Sequence, residues 1–493
     1  MKEKKDLLAQ IKDDKIQKYK LYCKLHDRAP LTRRDFLGAG IISFGGSMML
    51  PILPQLFSTS AFAAEDCPQT PVGDTMAAFV TIHLQGGAGL AMNYLPLNDQ
   101  GAQLQSYNLM GMGQGNGNVP TLTEFGNVKF FDRSQFLAQL RATATTANLG
   151  KTAFVAVPHN SQDDGNGDRN EYDVSGLVAK AGLIGKSLPN MTRNSGSPVA
   201  DTGFFSTFAY LKPPAPLVVN NVASIENALR SQGGALAGLN GNAKNSLYQL
   251  VQKLSESQVQ KLVDNNNGRQ MASLVNCATK KNYELAKATL PSMDARANAA
   301  IAAIWQINAT TAATNEMAVF ASLVLAALTG EAGAVTLERG AYDYHDNTRT
   351  LGDTKDGEIG QLVGRVIETA SALQKRVFIN VISNGSVTGP ASDDRTVEWT
   401  SDRGEAGMSY MLAFDPSATA RPATSGSQIG HFTNGQIADT SFITGSSAKM
   451  AAAATFVNYL HFNKKATAAA LVDQILPTGV FSAAQLNQIV KFL

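Results

Sequence analysis

The chain has 493 residues, 44 % of them apolar and 17 % charged, which provides for an ample core and excludes whole-chain disorder, a fibrous protein and a polytopic membrane protein. The formal charge of +2 mixes two unlike segments: residues 1–63 carry 11 Lys and Arg against 6 Asp and Glu, leaving 31 against 34, a net of −3, for residues 64–493. A mildly acidic body gives no support to nucleic-acid binding, which needs a basic face on the folded part.

The first element in chain order is a targeting segment. A Lys-rich stretch, Met1–His26, leads to Thr32-Arg33-Arg34-Asp35-Phe36-Leu37. An apolar run, Phe36–Phe57, follows, interrupted by Pro51 and Pro54, and then Ala61-Phe62-Ala63. Charged, apolar and cleavable regions stand in the order of an export signal. The paired arginines followed by Phe-Leu resemble the twin-arginine signal, which directs folded proteins across the bacterial inner membrane. An uncleaved anchor is the alternative, since the apolar run is long enough to span a bilayer. The prolines, the glycines and the Ala-x-Ala site argue for cleavage after residue 63. The mature chain is then expected in the periplasm or at the cell surface, with the export machinery as a partner and no stable membrane span. Cleavage removes Cys23 and leaves Cys67 and Cys277 in an oxidising compartment, where one disulfide and two separate thiols both fit the sequence.

Continuous apolar runs follow, each ending in polar and glycine residues: Ala77–Leu84, Ala153–Val157, Val377–Ile382 and Met408–Phe414. Such runs mark strands covered on both faces, which predicts a parallel sheet. Asn221 to Gly330 is different. Rich in Ala, Leu, Gln and Asn, it reads as consecutive helices forming an insertion or cap, and its Met317–Leu328 is apolar but too short to cross a membrane. Further on, Ile359, Leu362, Val363, Val366 and Ile367 recur at helical spacing, with Asp353 or Asp356 as candidate caps. The expected organisation is a signal at 1–63, an α/β domain in two parts at 64–220 and 331–493, and a helical insertion at 221–330. The expected fold class is α/β, a mostly parallel central sheet with helices on both faces.

Five histidines remain after the signal: His83, His159, His345, His431 and His461. In Gly340-Ala341-Tyr342-Asp343-Tyr344-His345-Asp346, after the predicted strand Ala334–Leu337, Asp343 and His345 are two apart. In an extended segment they point to the same side and can converge on one ion. In Ser401-Asp402-Arg403-Gly404-Glu405, Asp402 is a candidate ligand and Arg403 a candidate grip for an anionic oxygen, against the alternative of an ion pair on a surface turn. Asp164, Asn166 and Asp168 alternate as in a calcium loop, but Arg169 and Ser175 stand where such a loop needs Gly and Glu. The stretch Pro158–Asn170 reads better as a polar loop at a strand's C-terminal end, where α/β sheets bind ligands. Gly86-Gly87-Ala88-Gly89 lacks both the Gly-Lys-Ser/Thr and the Gly-x-Gly-x-x-Gly spacing of nucleotide binders.

Taken together, these segments resemble a large family of exported bacterial proteins, the domain of unknown function 1501 family, related to sulfatases and alkaline phosphatases. The likeness runs from the twin-arginine signal through Val80–Gly89, with Asn93 and Pro96, to Tyr342-Asp343-Tyr344-His345, which stands for the family's aromatic-Asp-Thr-His motif. Three positions depart from the pattern. Ala88 stands where relatives have an acidic residue, Ser383-Asn384-Gly385 where they have Ser-Glu-Phe-Gly, and Asp402-Arg403-Gly404 where they have Asp-His-Gly. The resemblance implies hydrolysis of a phosphate or sulfate ester of a small anionic substrate. On this chain it implies one divalent ion, Zn, Ca or Mn, on Asp343, His345 and Asp402, with His431 or His159 as a further ligand. Arg403 replaces the charge of a second ion, and Ser161 is the candidate nucleophile. The alternative is a catalytically inactive relative that binds or assembles envelope proteins as partners.

Overall fold

In the computed structural model the described residues are 76–113, 122–126, 128–160, 174–180, 188–193, 216–230, 292–463 and 480–493, with isolated positions at 243, 246, 249, 250, 253 and 476. The signal segment, the cysteines, Ser161, the Asp164–Asp168 loop and most of the helical middle lie outside them. Nearly all described residues belong to one compact unit, 51–241 with 288–493.

The strands, in chain order, are β1 Ala78–Leu84, β2 Leu122–Phe125, β3 Val128–Phe131, β4 Thr152–His159, β5 Leu188–Arg193, β6 Leu217–Val218, β7 Ala332–Arg339, β8 Val377–Ser383, β9 Val387–Thr388, β10 Ser401–Asp402 and β11 Gly407–Phe414. Seven of them form one sheet in the order β4-β11-β8-β1-β7-β5-β6. β1 pairs in parallel with β7 and β8, and the parallel run continues through β5 to β6. β11 alone runs antiparallel, to β8 on one side and β4 on the other. The fold is therefore α/β with a mostly parallel central sheet. The apolar runs read from the sequence are four of its strands: β1 starts one residue later than its run, β8 and β11 are one residue longer, and β4 is three residues longer.

Every residue of β1, β4, β8 and β11 is buried, because both faces of the sheet are covered. On one face Val80, Ile82, Val335, Leu337, Ile379, Val381 and Leu412 join a core with helices α6, Glu316–Leu328, and α7, Arg349–Ala372. On the other, Phe79, Phe378, Ala334, Val155 and Ala413 pack with the alanine-rich helix α8, Ala448–Phe462. There the Phe79 and Phe378 rings stack at 5.8 Å and Tyr459 meets Phe79 edge-on at 5.0 Å. The remaining described helices are α1 Gln135–Thr143, α2 Thr146–Gly150, α3 Ser175–Lys180, α4 Val222–Arg230, α5 Ala299–Trp305 and α9 Ala483–Ile489. None of the described helices is long and apolar enough to cross a membrane. Within the stretch read as an insertion, α6 is part of the main core.

Helix α7 is the longest described element and begins earlier than its apolar stripe, at Arg349 after Thr348. Asp353 and Asp356 therefore lie inside the helix and do not cap it. The stripe faces the sheet, and Ile359, Leu362, Val363, Val366 and Ile367 are all buried. Against its other side lies α1, whose N-cap Ser134 accepts the Leu137 N–H at 3.2 Å. Gly360 permits this close crossing, since a β-carbon there would stand 2.0 Å from the Phe136 carbonyl oxygen.

Candidate metal centre

The sheet ends that carry chemistry gather at one edge. β1, β7 and β8 all finish there, at Leu84, Arg339 and Ser383, and β11, running the other way, starts there at Gly407. Loops after three strands and before a fourth thus meet on one rim.

After β7 the chain is extended and alternates. Tyr342 and Tyr344 point inward and are buried, which turns Asp343 and His345 outward together. Tyr342 donates its backbone N–H to the Gln85 carbonyl at 3.0 Å, fixing the segment beside the glycine turn after β1. Asp402 arrives separately, on the two-residue ladder in which β10 pairs antiparallel with β9, with Asp402 opposite Val387. The Arg403 N–H to the Ser386 carbonyl, 2.9 Å, extends that ladder.

Asp343, His345 and Asp402 converge. One ligand atom from each lies within 4.8 Å of the other two. His345 Nε2 is 2.9 Å from Asp343 Oδ1 and 3.4 Å from Asp402 Oδ1, while its Nδ1 faces Asp346 Oδ1 at 3.5 Å. Their side chains are 61 % exposed for Asp343, 45 % for Asp402 and 24 % for His345, so a bound ion would keep open positions toward solvent. Two carboxylates and one imidazole suit a hard-to-borderline divalent ion such as Zn or Mn. His345 Nε2 faces the two carboxylates of the group, and an ion there would take the place of a proton on that nitrogen.

The other residues singled out lie elsewhere. His431 is held by its own loop: its Nε2 is 2.8 Å from Asp439 Oδ2 and its ring meets Phe442 edge-on, and it is not among the converging groups. Arg403 adjoins Asp402 in the chain, but its guanidinium donates to the Gly435 carbonyl at 2.7 Å and to Thr388 Oγ1 at 3.5 Å. His159, at the end of β4, is fully buried, and desolvation pushes it down to about 4.

Two further groups near this rim were given no part in the site from the sequence, His83 being named only among the histidines and Asp356 only as a candidate cap. The first is His83 with Glu338, opposite one another on β1 and β7. His83 Nε2 is 2.8 Å from Asn384 Oδ1, its Nδ1 lies 3.9 Å from Glu338 Oε2, and Gln85 donates to the other Glu338 oxygen. Polar residues near the ends of otherwise apolar strands were the available signal, but their mutual register was not. The second is Asp356. Fully buried, its carboxyl is pushed up to about 7 by desolvation, which outweighs the hydrogen bonds from Tyr344 and Asn93.

No family model, no curated protein and no solved structure matches this chain. The fold and the site define an α/β protein with a three-residue candidate metal centre at the edge of its sheet.

Proposed function

We propose that the protein is an exported, sulfatase-like α/β hydrolase that uses one divalent ion on Asp343, His345 and Asp402 to cleave an anionic ester. One observation carries this reading: three ligating side chains from two distant chain segments meet at the edge where strands of an α/β sheet end. The donor set fits a catalytic rather than a sealed structural site, because two of its three members are largely open to water. Once bound, the ion would supply an activated water and positive charge for the ester oxygens. The chain's own contribution is to hold two carboxylates and an imidazole together on a face open to solvent. The likeness to sulfatases and alkaline phosphatases rests on Val80–Gly89 and Tyr342-Asp343-Tyr344-His345, and the export reading on the twin-arginine segment.

A second reading, a metal-dependent binding or assembly protein of the envelope without catalysis, is favoured by Arg403. Its guanidinium is committed to Gly435 and Thr388, which leaves the cation expected to grip the ester turned aside. The deciding experiment loads the purified mature protein with Zn, Mn or Ca and assays aryl phosphate and aryl sulfate esters. Hydrolysis that disappears in Asp343→Ala and Asp402→Ala supports the enzyme. One ion per chain with no turnover supports the binding protein, and no ion at all abandons both.

A further inference from the structure

We infer that Asp356 is a positioning residue for the metal centre, acting through Tyr344 to hold Asp343 and His345 toward a common point. This rests on the reading of the triad as a metal centre. Tyr344 stands between the two ligands in an extended segment, so any movement of its ring along its own axis moves both of them. That ring is tied at its far end: the hydroxyl accepts the Gly89 N–H at 2.6 Å and donates to Asp356 Oδ1 at 2.6 Å.

Asp356 is itself fixed on several sides. It projects from α7, the helix whose apolar stripe is buried on the sheet. Its second oxygen accepts from Asn93 Nδ2 at 2.6 Å. Asn93 in turn donates to the Gly89 carbonyl at 3.2 Å and accepts from Ser134 Oγ, the N-cap of α1, at 2.8 Å. Three elements, the turn after β1, the start of α1 and α7, are thereby joined through the Asn93–Asp356 pair, whose carboxylate holds the ligand loop.

A purely packing role does not require this chemistry. A phenylalanine over a leucine would fill similar space without taking a carboxyl out of water, a cost that hydrogen bonds only partly offset. The hydrogen-bonded pair adds a defined length between helix and loop. The three ligand atoms lie within 4.8 Å of one another, and displacing the loop that carries two of them changes the spacing that one ion requires.

The network also depends on ionisation. As a carboxylate, Asp356 accepts from both Tyr344 and Asn93; protonated, it becomes a donor facing two donors, and one bond must reverse or break. The groups that face it are Asp353 and Arg349 on its own helix, Tyr344 and Tyr342 from the ligand loop, Asn93 from the turn after β1, and Tyr410 from β11. Its position near neutrality places this change within the working range of an envelope protein.

The test uses the full mature chain with Mn2+ alone as the probe, its free concentration read by electron paramagnetic resonance, in wild type, Tyr344→Phe, Asp356→Asn and the double variant. Each single variant is expected to weaken Mn2+ binding about tenfold, and the double no further, because the two residues act as one unit. Between pH 8 and pH 6 the affinity of the wild type should fall more steeply than that of Asp356→Asn. Wild-type affinity in both single variants, or losses that add in the double, overturns the inference. Ring signals of labelled His345 in the metal-free chain give a second, independent reading: sharp in wild type, broadened or doubled in both variants, and unchanged if Asp356 only packs. A wild-type chain that binds neither Mn2+ nor, in a parallel titration, Zn2+ or Ca2+ overturns the metal-centre reading alone, and the His345 signals then decide the positioning claim. Tyr344→Phe keeps the ring, so the test survives if Asp356→Asn fails to fold.

Discussion

A β-carbon at Gly86 would stand 2.5 Å from the Asp343 backbone nitrogen and 2.8 Å from its β-carbon. The turn after β1 and the ligand loop after β7 are thus in backbone contact, and Gly86 also sits at a φ of +100°, where other residues are strained. Gly86→Ala should therefore destabilise the fold by roughly 1–3 kcal/mol and displace Asp343. Urea unfolding together with a metal titration checks this. An alanine variant with wild-type stability and affinity would show that the two loops are not in register.

Substituting the ligands should separate stability from binding. In the metal-free protein Asp343→Ala and Asp402→Ala are expected to change stability by no more than about 0.5 kcal/mol, because their side chains are largely exposed. A metal at a hundredfold excess over its Kd should stabilise the wild type by about 2.7 kcal/mol through mass action. Neither variant should show that rise in a thermal melt with and without Zn.

Asp356 makes a signed prediction about pH. Its folded value of about 7 lies above the ordinary carboxylate value of 3.8, so between those limits the native state binds the extra proton. Its contribution is fully present below about pH 4 and is lost as pH rises through 7, a change on the order of 4 kcal/mol. Asp356→Asn lacks this titration. The stability of wild type relative to the variant, measured by denaturant unfolding at pH 5 and pH 8, should accordingly fall at the higher pH.

His159 acts in the opposite direction. Buried and held neutral, it has a folded value of about 4 against an ordinary 6.5, so the unfolded chain takes up the proton first. Stability present above pH 6.5 is lost as pH falls toward 4, on the order of 3 kcal/mol. His159→Gln should blunt that acid sensitivity. Acid-unfolding midpoints of the two proteins provide the comparison, and equal midpoints would show that the imidazole is not buried in solution.

What could be read in advance follows from where each signal resides. Val377–Ile382 and Met408–Phe414 were legible as strands because burial on both faces writes an unbroken apolar run. The reversed direction of β11 was not, since a strand's sense depends on how its connections cross the sheet and leaves no trace in its composition. Asp343 and His345 were legible as a pair because a spacing of two fixes a common side in extended chain. Asp402 joined them only through the family resemblance, because its approach depends on the β9–β10 ladder, two residues long on each side. His431 offered the right chemistry without any positional cue, and its own loop engages it through Asp439. Asp356 was read as a cap because acidic residues near a helix start usually are; its burial follows from a start one turn and more upstream.

The alternation of Tyr342, Asp343, Tyr344 and His345 carries a consequence for how this stretch can vary. One added residue would swap inside for outside, bringing a phenol ring to solvent and driving a carboxylate into the core. A single side-chain exchange leaves this alternation intact, whereas a change in residue count does not. Among natural relatives, insertions and deletions should accordingly fall in the turns on either side and spare these four positions.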